Sequence, residues 1–194
     1  MTLSLHSILA LARYSVQSPR DAARTILGLG IPDSARWLLA LFVAVTSALL
    51  THVAFNMLPV QERVFLAGAM SSPLRTAGLQ VLFLLITAAG VHRIGQWRGG
   101  TGSFADALLL VGWLQFLLVC LQAVQIATFF VLPVLAEILG VIGIGLSFWL
   151  LSQFVAELHG FRSAGRVFAG ILAVLFAVAL GASMLIILMM GAGA

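Results

Sequence analysis

Lysine is absent from this chain of 194 residues, cysteine and tyrosine occur once each, and charged residues make up only 8%. Each scarcity closes off a class of protein. With no lysine and only scattered arginines there is no basic stripe, so no nucleic acid is expected as a partner. One cysteine, Cys120, permits no intramolecular disulfide. Water-soluble domains carry charge on about a quarter of their residues; this chain has too little charge to cover a surface facing water. No His-Glu-x-x-His run, no Gly-Lys-Ser/Thr phosphate loop and no nucleophile motif occurs. A non-enzymatic protein without cofactor or metal is therefore expected.

What the chain does have is apolar length. Hydrophobic residues make up 62% and mean hydropathy is +1.16. Five stretches carry no formal charge: 37–61, 76–92, 107–136, 138–156 and 167 onward. About 20 apolar residues cross a hydrocarbon core of roughly 30 Å as one helix, and these runs are apolar on every face, which only lipid can solvate. The fold class expected is all-α: a polytopic membrane helical bundle with five transmembrane helices, at about 35–57, 74–92, 104–132, 137–158 and 165–190, preceded by short amphipathic helices in an interfacial segment, 1–34.

The arginines set the orientation. If the N-terminus is cytoplasmic, eight of ten arginines fall on the inner side and only Arg63 and Arg75 on the outer. This excess predicts a multi-pass protein of a bacterial inner membrane, with its N-terminus in the cytoplasm and its C-terminus in the periplasm. Leu5, Ile8, Leu9 and Ala12 share one helical face and suggest a surface helix, with no cleaved signal peptide expected. Ser18 and Pro19 start a second short helix, with Asp21 in its first turn. Ser34 or Asp33 is expected to cap span one. A short interfacial helix is expected between Pro59 and Pro73. A glycine-rich inner loop follows span two from Arg93 to Ser103, with Ser103 and Asp106 forming a capping box. Pro133 is expected to stop span three, at about 40 Å of helix, and Gly160 to end span four.

Polar side chains inside the bilayer are the candidate functional groups, because each is costly there without a partner. Span one offers His52 and Asn56 on one face, and span two offers Gln80. Span three carries Gln115, Gln122 and Gln125 within an arc of about 80° at 100° per residue. These amides either fix helix packing by hydrogen bonding or line a polar pathway. A second cluster, His92, Asp106, Glu157, His159 and Arg162, gathers on the inner face, where Glu157 is expected to pair with Arg162 or Arg166. Histidines with carboxylates could make a metal or proton site, but the spacing is not diagnostic of one. Span five repeats small residues at Ala169, Ala173, Ala177 and Gly181, a ridge that allows close helix contact. With the bilayer itself, a membrane-protein partner or a second copy is therefore expected.

Three stretches carry a resemblance: Ser18-Pro-Arg-Asp-Ala-Ala-Arg24, Arg98-Gly-Gly-Thr-Gly-Ser-Phe-Ala-Asp-Ala107 and Ala156-Glu-Leu-His-Gly-Phe-Arg-Ser163. With the five-span layout, they make the chain resemble the bacterial branch of the Yip1 domain family. The resemblance implies a helical integral membrane protein with a cytoplasmic N-terminus. Eukaryotic relatives act in vesicle traffic and contact Rab-type GTPases and one another. This chain lacks their long polar N-terminal region and their Asp-Leu-x-Gly-Pro-like motif, so the GTPase role does not carry over. The function expected is contact between membrane helices or proteins, as a subunit, assembly factor or membrane organiser. The alternative is a small-molecule or ion conduit through the polar residues of spans one to three.

Overall fold

The computed structural model describes residues 4–58, 60–66, 68 and 72–191, and these are helical almost throughout, with no strand among them. The elements are α1 (Leu5–Gln17), α2 (Pro19–Gly28), α3 (Asp33–Met57), α4 (Val60–Leu66), α5 (Pro73–Trp97), α6 (Phe104–Phe129), α7 (Pro133–Leu158) and α8 (Ala164–Gly191). Helices α3, α5, α6, α7 and α8 are each long and apolar enough to cross a bilayer. The chain is a multi-span membrane protein. Helix α4 lies within the connection expected to hold an interfacial helix; residues 59, 67 and 69–71 of that connection fall outside the described set.

Local chemistry explains most boundaries and corrects several. Ser18 stands at the N-cap of α2 without a side-chain cap bond, and Pro19 takes the first turn, where its missing N–H costs nothing. Pro32, rather than Ser34 or Asp33, occupies the N-cap of α3; its extended backbone (ψ 151°) sets the start, and Asp33 becomes the first helical residue. Helix α5 runs to Trp97 rather than stopping near His92; a charged residue such as Arg93 interrupts an apolar run without breaking a helix. Pro133 opens α7 rather than closing α6, which ends at Phe129. A proline is as good at a helix start as it is bad inside one.

Both α5 and α7 end in the same way. Gly99 has φ +86° and Gly160 φ +70°, the left-handed conformation that glycine adopts without strain. Beyond each, an amide folds back on its helix: Gly100 N–H to the Gly95 carbonyl at 2.9 Å, and Phe161 N–H to the Ala156 carbonyl at 2.8 Å. This is the Schellman arrangement, which satisfies carbonyls that a helix end leaves open.

Helix α6 is the centre of the bundle: 56% of its most apolar window is buried inside the protein, against 0% for α8. It touches α3, α5, α7 and α2, whereas α8 packs on α7. The α3 contact uses small residues four apart, Ala40, Ala44 and Ala48, all buried. Gly112 of α6 lies against Leu39 and the Ala40 backbone, the close approach that small residues permit between helices in lipid. Helix α2 adds Ala23 and Ile26 to the core formed by Ala107, Leu110, Leu150 and Phe154. Helix α1 is tied in by Trp113, whose Nε1–H donates to buried Ser15 at 2.9 Å.

Candidate functional site

The charged and imidazole groups collect at the end of the bundle carrying α2, where α5 and α7 finish and α6 and α8 begin. Two histidines there hold the backbone of a single residue, Gly102. The Gly102 amide donates to Nδ1 of His159 at 3.2 Å, and the Gly102 carbonyl lies 3.0 Å from Nδ1 of His92. A carbonyl only accepts, so His92 is the donor and carries its proton on Nδ1. By the same logic His159 has a bare Nδ1 and donates from Nε2 to the Val91 carbonyl at 3.1 Å. It is the neutral tautomer. Burial pushes the His159 pKa below 6.5, with the hydrogen bond to Val91 opposing and the charge of His92 adding to the effect.

Glycines make room for this ring. A Cβ at Gly95 or Gly100 would overlap His159 itself, and one at Gly102 would meet Leu158 and His159. Phe161 stacks on the imidazole with centroids 5.5 Å apart. The ring is 4% exposed, with both nitrogens committed, so it has no lone pair free for a metal. Among the described residues no three metal-ligating side chains come together.

Helix α2 closes over the same place. Arg20 donates from Nη2 to the Phe161 carbonyl at 2.8 Å, and Arg24 donates from Nε to Glu157 at 2.8 Å. Glu157 thus pairs with Arg24, 133 positions away, in place of the expected Arg162 or Arg166. The two expected arginines lie beyond the end of α7, in the turn and on α8, whereas packing brings Arg24 of α2 against Glu157. Arg36 binds Asp106 at 2.7 Å, while the Ser103 hydroxyl accepts from the Asp106 amide at 3.1 Å and donates to its carboxylate at 2.6 Å. Of the five residues expected to cluster here, His92 and His159 meet through Gly102, Asp106 and Glu157 sit in ion pairs, and Arg162 is exposed.

The intramembrane group is arranged differently. Gln115 donates to Ser47 at 3.1 Å and Gln122 to Thr51 at 3.3 Å, both joining α6 to α3. Gln125 turns the other way, toward Gly140 of α7. Asn56 bonds back to the His52 carbonyl at 2.8 Å, and His52 has a buried Nδ1 without a hydrogen-bond partner. Gln80 is half-buried on α5. Ala169, Ala173, Ala177 and Gly181 are all exposed on α8, as is every described side chain from Leu172 onward.

Sequence reasoning did not single out Gly95, Gly100 and Gly102 as the walls of a histidine pocket, nor Arg20, Arg24 and Arg36 as its outer fastening. The available signal was glycine density between 95 and 102 alongside a histidine at the end of another span. The three stretches that carried the resemblance meet here: one supplies Arg20 and Arg24, one Gly102 and Asp106, one Glu157, His159 and Phe161. Neither a curated protein nor a solved structure matches the chain. The family model described as the Yip1 domain matches residues 13–186, nearly the whole length, and the chain belongs to the Yip1 domain family.

Proposed function

We propose that this protein is a non-enzymatic factor of the bacterial inner membrane, acting through helix contacts with another membrane protein or a second copy. In this reading its N-terminus is cytoplasmic and its C-terminus periplasmic. The observation that supports it most is the use made of the intramembrane amides. Gln115 and Gln122 are spent on Ser47 and Thr51 across the α3–α6 seam, which fastens a scaffold, while α8 keeps its small-residue ridge outside that scaffold. Photo-crosslinking side chains placed at Ala173 and Ala177 in native membranes test it. Adducts larger than the monomer are expected; adducts with lipid alone would overturn the reading.

The conduit alternative draws on His52, whose Nδ1 is buried without a partner. It requires flux in liposomes that stops when Gln115 and Gln122 become leucine. No flux from the parent protein removes it.

A further inference from the structure

The arginine-rich end has more positive charge than its own carboxylates can neutralise. Asp21 and Glu157 are paired with Arg24, and Asp33 and Asp106 with Arg36. Those four are all the acidic residues of the segments that meet at this end. Arg13, Arg93, Arg98, Arg162 and Arg166 are left exposed, and among the described residues none has a carboxylate within ion-pair distance. Arg13 lies on α1, Arg93 in the last turns of α5 and Arg98 just past it, Arg162 in the turn before α8 and Arg166 in its first turn. Trp97 is 80% exposed beside them, and the Arg98 guanidinium lies 5.4 Å from its ring centroid. Stacking of this kind uses the face of the guanidinium and leaves its edge N–H donors free for an oxyanion.

Depth identifies the occupant. Helix α6 is 26 residues long, about 39 Å, against a hydrocarbon core of roughly 30 Å. Trp113 lies nine positions beyond Phe104, about 13 Å along the helix, and it holds α1 through Ser15. Helix α1 is therefore held against the side of the bundle, beside the first turns of α6. Its outward side chains include Leu5 at 74% and Leu9 at 60% exposure, which suit acyl chains and not water. Arginines at the ends of apolar spans suit the height of lipid phosphates, where an anionic surface attracts them.

We propose that this end is a binding surface for anionic phospholipid headgroups, formed by Arg93, Trp97 and Arg98 at the end of α5, Arg162 and Arg166 at the start of α8, and Arg13 on α1. Phosphatidylglycerol is the probe. The full chain, reconstituted in equal parts phosphatidylglycerol and phosphatidylcholine and extracted gently, should retain the anionic lipid in excess when its bound lipids are weighed by native mass spectrometry. Each of Arg98→Gln and Arg162→Gln should lower that excess on the order of fivefold, and added salt should lower it in the parent, since about 0.1 M salt screens beyond roughly 10 Å. Equal retention of the two lipids by the parent, or an excess that survives both substitutions together in protein of parental helix content, would overturn the proposal. A photoreactive phosphatidylglycerol supplies a reading from the parent alone: adducts on α1, the end of α5 or the start of α8 support it, and adducts confined to the α4 end refute it.

Discussion

Replacing His159 with leucine removes the ring that holds α5 and α7 together while keeping an apolar side chain in its pocket. Two bonds disappear. The Nε2 donation to Val91 is worth about 1 kcal/mol net. The buried Gly102 amide loses its acceptor, and an orphaned buried donor costs about 1–3 kcal/mol. The sum is about 2–4 kcal/mol, because the Val91 carbonyl keeps its helical partner and leucine limits the cavity. For a chain of this size each kcal/mol moves the melting point by about 2–4 °C, so His159→Leu should melt roughly 4–16 °C below the parent in mild detergent, followed by circular dichroism. Amide exchange at Gly102 should quicken in parallel. The companion His92→Leu removes the other hold on the same residue, so the double variant should lose less than the two single losses added together. If His159→Leu melts with the parent and Gly102 stays protected, the two histidines do not carry the contact and the reasoning fails.

Other perturbations follow from the same geometry. Because burial lowers the folded pKa of His159 below 6.5, the unfolded chain binds the proton more readily. Stability from this group is fully present above about pH 6.5 and falls as pH drops below it; a melting series should show that slope in the parent and a shallower one in His159→Leu, with His92 and the Arg24–Glu157 pair as the neighbouring charges. Gly95→Ala puts a methyl where the ring lies and should cost about 1–3 kcal/mol by the same thermal assay; a parental melting point would show that the ring can retreat. Gln122→Leu removes one bond of the α3–α6 seam and should cost only about 0.6 kcal/mol, and a loss several times larger would mean that the amide has a role beyond Thr51.

The five spans were legible because lipid imposes a condition that runs the whole length of a helix: one charge inside it is visible in the sequence. Their ends were less so. Arg93 looks like a boundary, yet α5 continues through it to Trp97, since an arginine is disfavoured by hydrocarbon and not by helix. Pro133 supports either a stop or a start, and only packing decides. At the α2 end the sequence showed a glycine-rich loop, the composition of a turn. Gly99 fits that reading through its positive φ, but Gly95, Gly100 and Gly102 are small because a ring from another helix occupies their side-chain space. The pairing of Glu157 with Arg24 was hidden for the same reason: closeness in sequence favours Arg162 and Arg166, whereas this contact is set by how α2 packs on α7.

A residue grasped by imidazoles from two helices fixes the register of those helices. Gly102 is bonded by His92 of α5 and by His159 after α7, so neither can slide along its axis without breaking a buried bond. When the surrounding bilayer thins or thickens, the bundle has to accommodate the mismatch by tilting or by rearranging at its far end, near α4, and along the loosely packed α8. One rim behaves as an anchor, and mechanical compliance is displaced to the other.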